Sequence, residues 1–209
     1  MKKKSFAIIG DPISHSLSPV LHNYWFHKHK IDAEYSLLNI KESELKDVVK
    51  KVKEKKLSGI NITLPYKQKI IPYLDLIIND AKITSSVNTV YLDENNNTVG
   101  ENTDVFGLQA AYLKEIFDIE NKKALIIGAG GVSPSVIFSL DKSKVKNISI
   151  ANRTHEKSIF LKKKFNFLNV LDWENLENQL SNFDIIINAT SLGLKNGEDF
   201  EFSFKNFKS

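Results

Sequence analysis

The stretch Lys123-Ala-Leu-Ile-Ile-Gly-Ala-Gly-Gly-Val-Ser133 decides the fold class of this chain. Its apolar run from Ala124 to Ile127 is typical of a buried strand, and the glycine cluster after it leads into a segment that can start a helix. Gly128 allows a tight turn, and Gly130 lets the backbone approach a pyrophosphate, which the N–H groups of the next helical turn can bind. The third motif position is Ser133 rather than glycine, and a glycine-rich turn without a ligand is the alternative. The motif therefore needs support from the rest of the chain.

The composition excludes several classes of protein. The chain has 209 residues and no cysteine, which excludes disulfides, thiolate metal sites and a cysteine nucleophile. The net charge of +4 comes from 29 basic and 25 acidic residues spread along the chain, so we expect a solvated surface and no nucleic-acid partner. After the N-terminal Met-Lys-Lys-Lys, the apolar run covers only Phe6 to Ile9 and ends at Gly10-Asp11-Pro12. We therefore expect no signal peptide, no membrane span and a cytoplasmic location.

The first half of the chain alternates strands with helices. Apolar patterns predict strands at residues 5–9, 34–40, 59–63, 87–92 and 98–100, the last two joined by a hairpin turn from Asp93 to Asn97. Helices are predicted from Ser18 to about Lys30, from Glu42 to Lys56 with one apolar face, and in the region up to about Lys82. This alternation predicts an α/β fold with an open, mainly parallel sheet and helices on its faces.

The second half repeats the alternation, and we place the domain boundary at the start of a helix predicted over 104–117. The two predicted domains are therefore residues 1–103 and 104–209. Strands are predicted at 123–127, 145–151, 169–171 and 184–188, and helices at 132–140, 154–165 and 173–180. A complete dinucleotide-binding sheet has six strands, so this Rossmann-like domain is expected to be incomplete. The last residues, Ser191 to Ser209, are loop-like and carry Phe200, Phe202, Phe204 and Phe207, which form an edge element or mark an early end.

Four polar stretches of the first half follow predicted strands, where open α/β sheets bind ligands. They are Ser14 to Ser18, Asn61 to Lys67, Asn88-Thr89 and Asn102 to Asp104. Their hydroxyls, amides, ammonium and carboxylate suit a small polyhydroxylated acid. Each also has a purely structural interpretation, since Ser18 and Asp104 can cap helices and Asn88 can sit in an ordinary turn. His15 and His22 have no carboxylate at ligand spacing, so we expect no metal.

The chain resembles shikimate dehydrogenases. The matching motifs follow the family's order and approximate spacing over all 209 residues: Gly10-Asp11-Pro12-Ile13-Ser14-His15-Ser16-Leu17-Ser18-Pro19 with His22-Asn23, Asn61-Ile62-Thr63-Leu64-Pro65-Tyr66-Lys67, Val87-Asn88-Thr89, Gly100-Glu101-Asn102-Thr103-Asp104, Gly128-Ala129-Gly130-Gly131, Asn152-Arg153-Thr154 and Asn188-Ala189-Thr190-Ser191-Leu192-Gly193. Seven ordered matches are far more specific than a glycine loop alone.

The resemblance implies reversible, NADPH-dependent reduction of 3-dehydroshikimate to shikimate in aromatic biosynthesis. It implies that Lys67 and Asp104 are the catalytic pair and that both also contact substrate. Binding of the substrate carboxylate and hydroxyls is implied for Ser16, Ser18, Thr63 and Asn88. Reduction of a ketone by hydride leaves an alkoxide, which needs a proton and a nearby positive charge. An ammonium provides both, and a carboxylate can orient it.

The cofactor is predicted to be NADP. NAD-binding motifs place an acid about 20 residues past the glycine loop, on the ribose 2′-hydroxyl, whereas this chain has Asn152, Arg153 and Thr154 there. Arg153 is the chain's single arginine, and its planar fork suits a 2′-phosphate, to which Lys157 can add a second charge. A solitary arginine placed there by chance is the alternative. The predicted cofactor-binding residues are Gly128, Ala129, Gly130, Gly131, Val132, Asn152, Arg153, Thr154, Lys157, Thr190 and Ser191.

Two departures from the family pattern keep other functions open. Ser85 and Ser86 replace a usual glycine and alanine, and the family continues for several tens of residues beyond the end of this chain. If the 209 residues are the whole molecule, we expect lower stability and weak or absent activity. A quinate/shikimate dehydrogenase of broader specificity and a truncated remnant that only binds ligand are therefore the alternatives. The partner is a small-molecule substrate, and the chain is expected to be a monomer or a homodimer.

Overall fold

A computed structural model gives the fold and describes residues 3–193 and 199–207. The chain divides into two compact units, Met1–Thr103 and Asp104–Ser209. Each unit is built around its own β-sheet, with six strands in the first and four in the second among the described residues.

The first unit begins with alternating strands and helices and ends with a hairpin. Short 3₁₀ helices lie at Glu42–Glu44 and Ile71–Tyr73. The longer elements are β1 (Lys4–Gly10), α1 (Ser18–Lys28), β2 (Ala33–Asn39), α2 (Leu45–Lys53), β3 (Gly59–Ile62), β4 (Leu76–Ile77), α3 (Asp80–Thr84), β5 (Thr89–Leu92) and β6 (Thr98–Glu101).

The first sheet has the strand order β2-β1-β3-β5-β6-β4. β1 runs parallel to β2 and β3, and β4 runs parallel to β6. β5 is antiparallel to both β3 and β6. The predicted hairpin joins β5 to β6, and in it Asp93 N–H donates to the carbonyl of Asn97 at 3.0 Å. The sheet is therefore mainly parallel, as predicted, with one reversed strand.

One face of the first sheet is covered by α2. Its buried residues recur every three or four positions, at Leu45, Val48, Val49 and Val52, which confirms the apolar face read from the sequence. They pack in one cluster with the inward side chains of β1, β3 and β5. On the opposite face, Phe26 of α1 packs against Phe6, Ile8 and Tyr35, although α1 itself has no buried residue.

The predicted helical region up to Lys82 is wrong in its first part. After Tyr73 the chain extends into β4, which pairs with β6. The cause is Asp75, whose carboxylate accepts from the Lys53 ammonium at 2.6 Å and from the Thr98 N–H and hydroxyl at 2.8 and 2.9 Å. These bonds lower the pKa of Asp75 to about 2 and hold the segment at the sheet edge.

The second unit alternates strands and helices throughout. Short 3₁₀ helices lie at Leu113–Glu115, Ile119–Asn121 and Glu177–Asn182. The longer elements are α4 (Asp104–Ala111), β7 (Lys123–Ile127), α5 (Ser133–Lys142), β8 (Asn147–Ala151), α6 (His155–Lys164), β9 (Asn169–Leu171) and β10 (Ile185–Asn188). Its sheet has the order β10-β7-β8-β9, and all pairings are parallel.

This strand order confirms the Rossmann-like prediction. If the four strands are numbered 1 to 4 along the chain, their spatial order β9-β8-β7-β10 is 3-2-1-4. This is the order found in a dinucleotide-binding sheet. Residues Ala124 to Ile127 of β7 are fully buried because both faces of the sheet are covered. Ala124 and Ile126 pack with α5 and α6, and Leu125 and Ile127 pack with Leu176 and Leu180.

Three predicted segments of the second unit differ in the structure. The helix predicted over 104–117 ends at Ala111, because the chain tightens into a 3₁₀ turn that buries Leu113. The helix predicted over 173–180 is instead the 3₁₀ helix Glu177–Asn182. Phe200 and Phe202 form no strand but pack beside Trp173 on the sheet core. Residues 194–198 and 208–209 of the predicted C-terminal loop lie outside the described residues.

Candidate active site

The polar stretches of the first unit meet at one edge of its sheet. β1 and β3 are parallel, with Ile9 opposite Ile62, so the loops that follow them leave the sheet on the same side. Thr63 N–H donates to Ile9 O at 3.0 Å, and Asp11 N–H donates to Leu64 O at 3.1 Å. These bonds hold the two loops against each other.

Asn88 reaches this edge by a route that differs from the prediction. It precedes β5, so it lies at the amino end of its strand and not at the carboxyl end. Because β5 runs against β3 with Thr89 opposite Asn61, that amino end lies at the same edge. β6 reverses direction again with Glu101 opposite Thr89, which brings Asn102 and Thr103 there as well.

The two predicted substrate-binding serines are in contact. Ser16 Oγ donates to Ser18 Oγ at 3.2 Å, and Ser18 N–H donates to Ser16 Oγ at 3.3 Å. Ser18 is the first residue of α1, and the helix has Leu17 at its N-cap with no side-chain cap bond. The capping interpretation of Ser18 is therefore wrong, and its hydroxyl lies beside that of Ser16.

Thr63 and Lys67 lie on the loop after β3, close to Gly10 and to the segment that leads to Asn88. A Cβ atom at Gly10 would lie 2.7 Å from Thr63 Cγ2 and 2.9 Å from Leu64 O, so this close approach requires glycine. Lys67 is half-buried, and its carbonyl accepts from Val87 N–H at 2.8 Å. That bond fixes the backbone of Lys67 next to the residue that precedes Asn88.

Asn88 is buried and bound on several sides. Its Oδ1 accepts from Thr103 N–H at 3.0 Å and from the Thr89 hydroxyl at 2.9 Å. Its Nδ2 donates to Thr103 Oγ1 at 2.9 Å. Asn88 is therefore more than the ordinary turn residue that it resembles in isolation.

Asp104 belongs to the second unit, as the first residue of α4. The structural alternative for this residue is still the capping role considered from the sequence, and a carboxylate in the first helical turn also interacts favourably with the helix dipole. The pairing of Asp104 with Lys67 stays a prediction.

The predicted cofactor residues lie at the carboxyl edge of the second sheet. Ile127, the last residue of β7, is opposite Ala151 of β8 and Asn188 of β10, so the loops after these three strands share one edge. Gly128 has φ +112°, and a Cβ there would lie 2.8 Å from the Ala189 carbonyl group and from Thr190 Cγ2. Glycine at 128 is therefore required by the chain itself.

The rest of the glycine loop leads into α5. Ser133 is buried and donates its hydroxyl to Gly128 O at 2.9 Å, which explains a residue other than glycine at the third motif position. Val132 is the N-cap residue of α5, and the half-buried Gly131 precedes it. Gly130 is exposed, and a Cβ there would meet only Ala189 O at 3.8 Å. The chain does not need glycine at 130, whereas a closely approaching ligand would.

Asn152 connects the glycine loop to the segment after β8. Its Oδ1 accepts from Ala129 N–H at 3.0 Å, and its Nδ2 donates to Thr154 O at 2.8 Å. Arg153 lies between these two anchored residues and is exposed, and Lys157 is exposed in the first turn of α6. The side chain of Asn152 therefore places Arg153 beside the glycine loop.

The loop after β10 is folded tightly against the same edge. Thr190 donates its N–H and its hydroxyl to Asn188 Oδ1 at 2.9 and 2.7 Å, and Leu192 N–H donates to Thr190 Oγ1 at 3.0 Å. This turn brings Thr190 against Gly128, and the exposed Ser191 follows it.

Two family models match the chain. The model of the shikimate dehydrogenase substrate-binding domain matches residues 8–90, and the shikimate/quinate 5-dehydrogenase model matches residues 111–194. An NADP(+) shikimate dehydrogenase of Pelagibacter ubique is 43% identical over 97% of this chain and 75% of the relative. The chain belongs to the shikimate dehydrogenase family.

Solved structures of the family have the same fold. The shikimate dehydrogenase of Aquifex aeolicus matches with a TM-score of 0.90 at 36% identity, over 99% of this chain and 76% of that one. The Thermus thermophilus shikimate 5-dehydrogenase in complex with NADP(H) and shikimate matches with a TM-score of 0.85 at 28% identity, over 98% and 75%.

The family motifs did not single out Tyr35, which lies close to the substrate edge. Its hydroxyl donates to Asn61 Oδ1 at 2.6 Å, and burial raises the pKa of this phenol. Asn61 carried one signal in the sequence, since it is a polar residue between the buried Ile60 and Ile62 and so faces the other side of the sheet. No signal in the sequence pointed to Tyr35, because it is 26 residues away from Asn61 along the chain.

A cavity of about 270 Å³ lies on this side of the first sheet, lined in part by Phe6, Phe26 and Tyr91. His22 also lines it and stacks on Tyr35 with ring centroids 4.3 Å apart, and burial lowers the pKa of His22. The described residues contain no group of three His, Cys, Asp or Glu side chains suited to a metal. Within residues 3–193 and 199–207, no helix has the length and apolar character needed to cross a bilayer.

Proposed function

We propose that the chain catalyses the reversible, NADP-linked reduction of 3-dehydroshikimate to shikimate. The observation that carries this proposal is that the polar loops after β1 and β3 and before β5 lie at one edge of the first sheet, with a glycine loop at the edge of the second. The relatives support it, since the 43% identical protein is named an NADP(+) shikimate dehydrogenase and the Thermus structure binds NADP(H) and shikimate.

In this proposal, residues 1–103 bind the substrate. The adjacent hydroxyls of Ser16 and Ser18 suit a carboxylate, which accepts hydrogen bonds from both. Thr63, on the same loop as Lys67, and Asn88, just before β5, contact the substrate hydroxyls. The short backbone bonds between these loops support their use as one preorganised surface.

Lys67 and Asp104 are the proposed catalytic pair. NADPH, when bound, supplies the hydride to the substrate carbonyl carbon. The oxygen then carries developing negative charge, which the Lys67 ammonium stabilises and neutralises by donating a proton. The Asp104 carboxylate orients the ammonium.

Residues 104–209 are the proposed NADP-binding domain, and the residues present fit that group. No close contact within the chain requires glycine at 130, and the exposed backbone there is open to a pyrophosphate. Ala129, Gly131, Val132, Thr190 and Ser191 complete the proposed loop surface. Arg153, with Thr154 and Lys157, would bind the 2′-phosphate, and Asn152 would hold that segment in place.

Two further properties belong to the proposal. A cytoplasmic location and a monomeric or homodimeric state remain as predicted from the sequence. Fluorescence of NADPH and analytical ultracentrifugation of the purified chain test the cofactor and the assembly separately.

The deciding experiment measures turnover of the purified 209-residue chain with shikimate or quinate and with NADP⁺ or NAD⁺. We expect shikimate-dependent formation of NADPH, with NADP⁺ preferred over NAD⁺. Equal turnover of quinate would favour the enzyme of broader specificity. Shikimate binding without any turnover would favour the ligand-binding remnant, and an NAD⁺ preference would contradict the role of Arg153.

A further inference from the structure

A row of polar side chains crosses the first sheet and ends at Asn88. Tyr35 of β2 is opposite Phe6 of β1, and Ile8, two residues further along β1, is opposite Asn61 of β3. Thr89 of β5 is opposite Asn61. Because residues that are opposite or two apart share a face, the side chains of Tyr35, Asn61 and Thr89 lie on one face of the sheet.

The hydrogen bonds along this row have fixed directions. Asn61 Nδ2 lies 3.1 Å from Asn88 O, and a backbone carbonyl only accepts, so the amide nitrogen of Asn61 must face it. Asn61 Oδ1 then faces Tyr35, whose hydroxyl donates to it at 2.6 Å. A flipped Asn61 amide would place two acceptors against each other.

The direction is passed on to Asn88 through Thr89. The Thr89 hydroxyl accepts from Asn61 Nδ2 at 3.1 Å, so its single proton is directed to Asn88 Oδ1 at 2.9 Å. Thr103 N–H, which only donates, also binds that oxygen at 3.0 Å. The carbonyl oxygen of the Asn88 amide is therefore held toward Thr89 and Thr103. Its NH₂ group donates one hydrogen bond to Thr103 Oγ1 at 2.9 Å and is the donor that a substrate oxygen would meet.

We propose that Tyr35 and Asn61 are positioning residues that fix the orientation of the Asn88 amide, and through it the recognition of a substrate hydroxyl or carbonyl oxygen. This inference rests on the proposed function, in which Asn88 contacts substrate. Tyr35 is 5% exposed and stacks on His22, so its hydroxyl is held in place from behind. A buried network whose members bond to one another in this way resists rotation of any one member.

The test is Tyr35→Phe, which deletes one hydroxyl and keeps the stacked ring. We expect the Kd for shikimate to rise about fivefold, the effect of one net hydrogen bond, with NADP⁺ binding unchanged. Tyr91→Phe is the matched control, because Tyr91 lines the same cavity and its hydroxyl donates to Glu101 Oε2 at 3.3 Å. Equal effects of the two variants would overturn the proposal.

A double-mutant cycle separates positioning from general support of the sheet. If Tyr35 acts through Asn88, then Tyr35→Phe has no further effect on the Kd in an Asn88→Ala background. An undiminished fivefold effect there would show that Tyr35 acts independently of Asn88. Asn61→Asp is the second probe, since its carboxylate would take the Thr89 proton away from Asn88 Oδ1 and should weaken shikimate binding in the same way.

A measurement without substrate distinguishes failure of this inference from failure of the proposed function. The side-chain NH₂ resonances of Asn88 in ¹⁵N-labelled protein, identified by their loss in Asn88→Asp, report the orientation of the amide directly. We expect them to shift in Tyr35→Phe and to stay unchanged in Tyr91→Phe. Absence of shikimate binding by the wild type would refute the proposed function, whereas unshifted Asn88 resonances in Tyr35→Phe would refute the positioning role.

Discussion

The proposed ligand-binding edges of the two sheets begin in a similar way but present different chemical groups. Both begin at a glycine at the end of a central strand. Gly10 is the last residue of β1 and Gly128 follows β7, and each glycine lets the loop of a neighbouring strand approach closely. Beyond the glycine, the edge of the first sheet presents side chains that bond to one another, such as Asn88 with Thr103. The edge of the second sheet presents backbone, at Gly130 and at the start of α5.

This difference teaches which kind of change each edge should tolerate. If side chains recognise the substrate, a substitution that shortens one of them removes a contact. The first edge should therefore be sensitive to the removal of side-chain atoms. Backbone that approaches a phosphate is blocked by added atoms, so the second edge should be sensitive to their insertion. Changes of each kind therefore test whether the comparison holds.

The largest effect is expected at the first edge, for Lys67→Met. Removal of the ammonium deletes the proposed proton donor and the charge that faces the developing alkoxide. We expect kcat to fall about a thousandfold, while the Kd for shikimate changes far less. Steady-state turnover together with calorimetric titration of shikimate measures both quantities.

Lys69→Met is the matched control for that change. Lys69 lies two residues away on the same loop and forms an exposed ion pair with Glu42, so its removal should leave kcat within a factor of about two. Unchanged turnover in Lys67→Met would exclude this lysine as the proton donor.

The next largest effect is expected for an added methyl group at the second edge, in Gly128→Ala. The new Cβ would lie 2.8 Å from the Ala189 backbone, at a φ of +112° that side chains rarely adopt. We expect the free energy of unfolding of the second unit to fall by about 3 kcal/mol. Gly130→Ala is the control, because its Cβ would make only an ordinary contact at 3.8 Å, so its stability should be unchanged while its NADP⁺ affinity falls.

Tryptophan fluorescence can report the second unit alone. The chain has two tryptophans, and Trp25 is in the first unit, whereas Trp173 packs edge-on against Phe202 in the second. Urea denaturation in a Trp25→Phe background therefore follows the unit that contains Gly128. Equal stability of Gly128→Ala and Gly130→Ala would show that the loop can relax around the added methyl group, and the comparison would fail at this edge.

The same contrast explains how much of the fold could be read from the sequence. β7 has its predicted bounds, because a strand of a covered parallel sheet is a nearly continuous apolar run, which here ends at Gly128. β9 also has its predicted bounds, although it is a short, partly exposed strand at the end of the sheet order. Local patterns also predicted the apolar face of α2 and the hairpin from Asp93 to Asn97. They failed after Tyr73, where Asp75 binds Thr98 on a distant strand and no local signal reveals that pairing.

The sequence predicted candidate site residues where they stand in a contiguous motif. It did not predict them where their placement depends on strand register. Gly128, Arg153 and Lys67 stand in short motifs whose residue types reveal their chemistry. Asn88 was assigned to the correct edge for a wrong reason, since the direction of β5 depends on pairing with β3 rather than on its own sequence. The bond between Tyr35 and Asn61 joins strands that flank β1 and depends on two registers together, which the sequence does not state.

Arg153→Gln gives the smallest of these effects and the finest test of the comparison, because here a side chain should matter at the backbone-built edge. Loss of the guanidinium removes a charge-assisted bond to the 2′-phosphate, so the Kd for NADP⁺ should rise about thirtyfold and that for NAD⁺ should not change. Lys163→Gln, in the last turn of α6, is the control and should alter neither. Fluorescence titration at low and high salt measures both constants, and the difference between cofactors should shrink as salt screens the phosphate. An equal loss for NADP⁺ and NAD⁺ would mean that Arg153 supports the loop rather than selecting the phosphate, and the second edge would then recognise its ligand through backbone alone.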